Sequence, residues 1–363
     1  MTAAARPWLT PQNAIRALLV FVPLSLVLGL THASPTAVFV VSCLAILPLA
    51  GLMGEATEHL AHHTGPSTGG LLNASFGNAA ELIIAFVALR AGEREIVKAS
   101  LTGSIIGNLL MVLGLSMLLG GWRRKELRFN RLAAESGSSM MVLAAISLVI
   151  PAIYAMVTEH THPEHVEAIS FDISIVLILT YAASLVFSLK THRRLFASEQ
   201  EDAAMELQDG RPWSRSASLA VLLLAAGLVG LVSERLVHAL GDAGQALGLR
   251  KVFMGVVVVA MVGNAAEHST AVIVALKGKM DLALGIAMGS SMQIALFVAP
   301  LLVIVGHFMG RPLGLEFTVL EVVAVILSVS AVTLLIQDGK TNWFEGFQLL
   351  AIYAILAIAF YYI

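Results

Sequence analysis

Two short stretches of the chain carry the residues with chemical potential. "GNAAELIIA" runs from Gly77 to Ala85 and "GNAAEHSTA" from Gly263 to Ala271, each inside a segment otherwise apolar enough for lipid. An ionised carboxylate at the centre of a bilayer costs at least about 2.5 to 3.5 kcal/mol on insertion scales, so Glu81 and Glu267 must face a partner, a cavity or an ion. Each follows a Gly-Asn pair. Glycine weakens a helix interior, and asparagine competes for backbone hydrogen bonds, so the spacing predicts a local break just before the acid. Such a break frees carbonyl oxygens beside a carboxylate. Two of these segments meeting would offer two carboxylates, the amides of Asn78 and Asn264, and several carbonyls. Those are hard oxygen donors suited to Ca²⁺, which takes six to eight oxygens in irregular geometry, rather than to soft metals.

Neighbouring segments add polar groups. "TGSIIGN" (Thr102 to Asn108) and "MGSSMQ" (Met288 to Gln293) place Ser104, Asn108, Ser290, Ser291 and Gln293 in greasy surroundings. Small residues there also serve close helix packing, but the large polar heads of Asn108 and Gln293 point to an ion pathway. Glu55 and Glu58 in "GLMGEATEHLAHHTG" and Glu234 in "LVSERLVHAL" are read as lining an access route or relaying protons. Glu234 has the alternative of pairing with Arg235 or His238, and Glu321 is read as structural.

The elements that hold these residues follow from composition. A chain of 363 residues with 58% apolar and 13% charged residues and a mean hydropathy of +0.85 is an integral membrane protein rather than a soluble domain. Its apolar runs are too long for barrel strands, which leaves helices. Eleven runs are read, near 15–31, 36–60, 69–90, 95–119, 132–156, 167–190, 217–240, 252–276, 281–309, 313–336 and 343–363.

A shift of 186 residues superposes Gly77 to Glu81 on Gly263 to Glu267, Gly92 on Gly278, and Gly103-Ser104 on Gly289-Ser290 without a gap. The chain is therefore an internal repeat. Five spans separate equivalent points, so the copies run in opposite directions through the membrane, as in secondary transporters with a site near the midplane. The expected fold is an all-α polytopic membrane protein, with two inverted five-helix repeats after an extra N-terminal helix. Its divisions are 1–35 (N-terminal segment and extra helix), 36–190 (first repeat), 191–216 (acidic cytoplasmic linker) and 217–363 (second repeat). The linker clusters Glu199, Glu201, Asp202, Glu206 and Asp209, read either as a solvated connection or as a cation-attracting segment.

Charge placement gives orientation. Seven of the 22 basic residues (Arg90, Arg94, Lys98, Arg235, Arg250, Lys251 and Arg311) fall on one side and the other 15 on the opposite side. The richer side is cytoplasmic, which puts the N-terminus inside and the C-terminus outside, in the inner membrane if the source is prokaryotic. Arg6, Arg16 and the apolar run Leu18 to Leu30 also fit a cleaved secretory signal, whose loss would leave ten spans and the same core. Cys43 stands alone, and the scattered basic residues form no nucleic-acid stripe.

An enzyme reading fails on order. His59 and His63 lie four apart beside Glu58, but a zinc peptidase needs His-Glu-x-x-His and the chain reads Glu-His-Leu-Ala-His-His. The histidine-rich loop Thr158 to Glu167 is read as solvated.

"GNAAELIIA", "GNAAEH", "GSIIGNLLMVLG", "GSSMQIALFVAP" and "DGKTNWFEG" together resemble the proton-coupled calcium exchangers, the CAX-type branch of the calcium/cation antiporters. The likeness extends from about Leu44 to Ile363. It implies eleven spans, two inverted five-span repeats after an extra first helix, an acidic cytoplasmic connection, and ion-binding roles for Glu81 and Glu267 with Asn78 and Asn264. One departure is visible: relatives often carry a proline shortly before the second motif, where this chain reads "VVVVAMVGN", so a break there must depend on Gly263 and Asn264. The resulting expectation is an antiporter without cofactor that exchanges Ca²⁺ for H⁺ by alternating access, with both acids binding either the cation or protons. A sodium-driven exchanger of the same fold is the alternative, and a cation channel with a continuous polar pore a further one.

Overall fold

The computed structural model describes residues 15–31, 33–64, 69, 71–72, 75–158, 163–192 and 213–363. Arg6, the acidic cluster from Glu199 to Asp209, and Glu159, His160 and His162 of the histidine-rich loop lie outside the described residues.

The described chain is helical apart from one two-residue strand pair. In order come α1 (Ile15–Leu28), α2 (Pro35–His62), α3 (Ala79–Ala91), α4 (Arg94–Gly121), α5 (Arg131–Val157), α6 (Glu164–Thr191), α7 (Arg215–Leu247), α8 (Lys251–Gly263), α9 (Ala265–Leu276), α10 (Met280–Phe308), α11 (Val319–Leu335) and α12 (Trp343–Tyr362). Seven of them (α2, α4, α5, α6, α7, α10 and α12) are long and apolar enough to cross a membrane, or eight spans if the bent pair α8–α9 counts as one. The protein is thus an integral, multi-pass membrane protein. Shorter helices occupy the remaining apolar runs.

Polar residues at the helix starts explain where the spans begin. Ser34 accepts from Ala37 N at 3.3 Å with Pro35 in the first turn of α2, and Ser214 accepts from Ala217 N at 3.2 Å at the start of α7. Thr318 and Glu321 form a reciprocal capping box on α11. The capping role of Glu321 accords with its structural reading.

Burial sorts the helices. The apolar window of α4 is 83% buried and that of α10 61%, against 22% for both α6 and α12. The two helices that carry the serine motifs therefore form the centre, and α6 and α12 face outward. Around that centre α4 packs on α8, α9 and α12, while α10 packs on α5, α6 and α9; α2 and α7 lie along each other, and α7 also contacts α3.

The strands β1 (Leu127–Arg128) and β2 (Lys340–Thr341) pair antiparallel and stitch the α4–α5 connection to the α11–α12 connection. Beside them Glu126 accepts from Arg128 at 2.6 and 2.8 Å and pairs with Lys340 at 3.5 Å. The hydrogen bond from Arg128 holds the Glu126 carboxyl below the usual carboxylate range.

Candidate exchange site

Both motifs break a helix at the asparagine. Asn78 (φ −97°, ψ 29°) precedes α3 and Asn264 (φ −91°, ψ 5°) precedes α9, each in the N-cap position. At the second motif the axes of α8 and α9 differ by 62°. Gly263 and Asn264 therefore support a sharp bend there without a proline. Neither asparagine side chain caps its own helix. The amides are free to reach elsewhere, and both reach into the other half of the chain.

The cross-half bonds obey the 186-residue shift. Asn78 Oδ1 accepts from Ser290 Oγ at 2.7 Å, and Asn264 Nδ2 donates to Ser104 Oγ at 2.8 Å. Asn78 Nδ2 also donates to Gln293 Oε1 at 2.6 Å. Asn108 Nδ2 donates to Ser290 Oγ at 2.9 Å and to Asn264 Oδ1 at 3.4 Å. Six of the polar residues singled out in the sequence thus converge: Asn78, Ser104, Asn108, Asn264, Ser290 and Gln293. Both amide oxygens expected to face a cation, Oδ1 of Asn78 and of Asn264, are engaged by protein donors in this conformation.

The asparagine breaks place Glu81 and Glu267 in the first turns of α3 and α9, where the unpaired amides and the helix dipole favour negative charge. Glu81 is buried at 8% exposure and Glu267 part-buried. The two carboxyl groups lie within electrostatic reach of each other, and Ser290 reaches the Glu267 carboxyl. Oε2 of each acid is buried without a hydrogen-bond donor among the described residues. Carboxylate oxygens left without donors have a use for a cation or for protons, which are what would offset their burial.

The central helices are locally widened beside the site. Gly107–Val112 of α4 and Ile294–Val298 of α10 are π-helical, and the 186-residue shift lays one on the other. A π segment adds a residue to a turn and recurs at functional sites. Asn108 lies in the first of them, and Gln293 immediately precedes the second.

The far ends of the motif helices are matched as well. Gly92 after α3 has φ +87° and Gly278 after α9 has φ +85°, the left-handed conformation that ends a helix on glycine. Arg124 Nη1 donates to Gly120 O at 2.5 Å and Nη2 to Leu276 O at 3.1 Å, so one guanidinium closes the C-termini of α4 and α9. Arg311 approaches the Gly92 turn, with Nη1 3.1 Å from where a Cβ would stand.

The remaining candidates lie apart from this network. Ser291 Oγ donates to Ala287 O at 2.9 Å within its own helix and faces Ile105 O at 3.5 Å. Glu55 accepts two bonds from Arg16 Nη2 at 2.8 and 3.0 Å, with Glu58 close enough to interact with it electrostatically. Glu234 is part-buried and forms no ion pair among the described residues, while Arg235 turns to Gly29 O at 3.4 Å. One residue of the site was missed by sequence reasoning. His268 Nε2 lies 3.0 Å from Asn108 Oδ1, and its signal was the mismatch with Leu82 at the equivalent position of the first motif.

Comparisons with known proteins agree with this architecture. A family profile described as "Sodium/calcium exchanger protein" matches residues 34–190 and 217–362. The Ca(2+)/H(+) antiporter of Aphanothece halophytica is 46% identical over 355 residues, covering 95% of each chain. The Ca(2+)/H(+) antiporter ChaA of Bacillus subtilis is 44% identical over 94% of this chain and 96% of its own. Among solved structures, native YfkE superposes with a TM-score of 0.83 at 40% identity, covering 96% of this chain and all of that one. The H+/Ca2+ exchanger CAX shares the fold, with a TM-score of 0.70 at 14% identity, over 97% of this chain and 92% of its own. These relatives are transporters and not enzymes. The broken motif helices, the crossed amide bonds and the family match together identify the chain as a member of the sodium/calcium exchanger family.

Proposed function

We propose that the chain exchanges Ca²⁺ for H⁺ across the membrane, with Glu81 and Glu267 binding either one Ca²⁺ or protons but not both together. The observation that carries this reading is the pair of glutamates at equivalent helix starts, in electrostatic reach of each other, each with an oxygen lacking a donor. A cation held between two acids is displaced when they take up protons, and that competition couples the two flows. The names of relatives above 40% identity support Ca²⁺ and H⁺ as the exchanged ions.

Eleven spans in two inverted repeats remain the topology proposed for this exchange. Support comes from local geometry repeating at the 186-residue shift, in the asparagine breaks, the π segments and the left-handed glycines. The division at the acidic linker agrees with the two stretches of the family match. In the proposed cycle α2 and α7, which pack along each other, rock against the central helices and expose the acids to each side in turn. Glu55, Glu58 and Glu234, at two ends of that pair, would line the routes, with the N-terminus cytoplasmic and the C-terminus opposite.

Glu81→Gln and Glu267→Gln each remove one exchanging acid while keeping its size. Each abolishes Ca²⁺ uptake driven by a pH gradient in proteoliposomes; normal uptake by either variant rejects the assignment. A sodium-driven exchange is the second reading, favoured by the family's description. Uptake driven by a Na⁺ gradient at fixed pH, and absent with a pH gradient alone, would replace the first reading by the second.

A further inference from the structure

The two ends of the bundle differ beside the proposed site. Where the α3–α4 turn meets the α7–α8 turn, a cavity of about 350 Å³ is lined by Ala91, Glu93, Val237, His238, Asp242 and Lys251. Ala91 ends α3 ten residues after Glu81, about 15 Å along the helix. Val237 and Gly241 of the cavity share one face of α7 with Glu234 and Gly230, each step being three or four residues. Gly230 lies against α3, where an added Cβ would stand 3.8 Å from Ile83 Cγ2. The cavity therefore heads the α3–α7 interface, and Glu81 lies towards the far end of that interface.

One side chain lies across this opening. Lys251 begins α8, and its stem passes α7 so closely that a Cβ added at Gly241 would stand 3.4 Å from Cε and 4.0 Å from Nζ. Its ammonium donates to Glu93 on the α3–α4 turn, with Nζ 3.0 Å from Oε2 and 3.2 Å from Oε1. The pair joins the two halves of the chain across the mouth. Only residues 248–250 separate the end of α7 from Lys251, so α7 swinging away from α3 draws the ammonium off Glu93. The ion pair thus belongs to the conformation in which this mouth is closed.

The repeat does not supply the same bar at the other end. Under the 186-residue shift Glu93 falls on Lys279 and Lys251 on Gly65, a lysine and a residue without a side chain. In an inverted repeat the two open conformations are near mirror images of similar free energy, so an interaction present at one mouth alone decides which is favoured. We propose that Lys251 and Glu93 form a latch that bars this mouth, read as the extracytoplasmic one, and weights the exchanger towards opening at the opposite side. A cation entering here must part the pair. The inference rests on the reading of Glu81 and Glu267 as exchanging groups reached from each side in turn.

The test follows the labelling rates of two reporter cysteines by a charged thiol reagent, in detergent without Ca²⁺. Both are placed in a Cys43→Ala background, since Cys43 is the only native thiol. Val237→Cys reports this mouth from a cavity position that is buried, at 4% exposure. Gly51→Cys reports the opposite one: it is the repeat equivalent of Val237, and a Cβ there meets no atom within 4 Å. Lys251 and Glu93 are part-exposed, so their substitution leaves the fold intact. Glu93→Gln and Lys251→Gln each raise labelling of Val237→Cys about threefold, within the range of an exposed ion pair, and lower that of Gly51→Cys. Both changes shrink at about 1 M salt. The swap Glu93→Lys/Lys251→Glu remakes the pair and returns both rates to within about twofold of the unmodified latch. The proposal is overturned if the single variants leave Val237→Cys unchanged, if its labelling rises while that of Gly51→Cys stays constant, which marks local loosening only, or if the swap labels like the neutral variants. Uptake by Glu81→Gln and Glu267→Gln decides the underlying reading separately, because labelling is read without transport.

Discussion

The Glu81 side chain lies against Gly263, the glycine that opens the opposite motif: a Cβ added at Gly263 would stand 3.4 Å from Glu81 Cγ and 3.5 Å from Oε1. The second half of the chain thus forms part of the wall around the first half's acid. One methyl group fits there in ordinary contact, and the two further carbons of valine are expected to crowd Glu81. Gly263→Ala is expected to keep uptake within about threefold of the unmodified protein, and Gly263→Val to lose most of it, because the branched side chain displaces Glu81. Equal activity of the two variants in reconstituted vesicles would show that this contact does not constrain the site.

Competition between cation and protons has a signature in pH. Acidifying the side from which Ca²⁺ binds should raise its KM while leaving the maximal rate at saturating Ca²⁺ nearly unchanged, since both ions contend for one pair of acids. The sign follows from protons occupying the same oxygens: more protons, weaker apparent Ca²⁺ binding. A KM that stays flat between about pH 6 and 8, around the range in which site groups are tuned to titrate, counts against a shared site.

Close approach of α4 to α8 depends on Gly103, one residue before Ser104. A Cβ there would run into the Val256 backbone, whereas at Gly107, one turn on, it would meet no atom within 4 Å. Backbone contact of this kind tolerates only glycine. Gly103→Ala is expected to abolish recovery of folded protein or transport. Gly107→Ala should be recovered in normal yield, which size-exclusion profiles of the two variants in detergent would check.

Arg124 holds two helix ends, one from each half of the chain. Its removal in Arg124→Ala leaves Gly120 O and Leu276 O without their charged donor, a loss of about 0.3 to 1 kcal/mol for an exposed cation at helix C-termini. Arg124→Lys carries the charge but not the fork, and should recover less than half of the lost stability. Thermal midpoints of the three proteins in one detergent decide this. A midpoint for Arg124→Ala equal to that of the parent protein would show that the staple contributes nothing.

Much of the site was legible in the chain because a carboxylate in an apolar segment has few reasons to exist. Glu81 and Glu267 stood out by cost, the helix breaks by the Gly-Asn pairs, and the relation between the halves by the gapless shift. Asn108 and Gln293 stood out as large polar heads in greasy helices. His268 did not, because one more polar residue beside a motif glutamate looks like part of the motif until Leu82 is set against it. Ser291 illustrates the opposite error of resolution: adjacent serines look alike in sequence, yet Ser290 faces the network while Ser291 bonds back to its own helix.

Composition, apolar run lengths and the repeated motif by themselves determined that the chain is a bundle of membrane helices with two equivalent acids. Local energetics suffice for that, since the cost of charge and of unpaired backbone in lipid acts on each segment separately. Only the tertiary structure decided which side chains meet: Asn78 with Ser290, Asn264 with Ser104, Asn108 with His268, and Arg124 with the end of α9. A helix that is apolar all round shows no face in its sequence, so its partners are chosen by close packing and by the matching of a few polar groups across long separations. Those terms exist only once the helices are assembled.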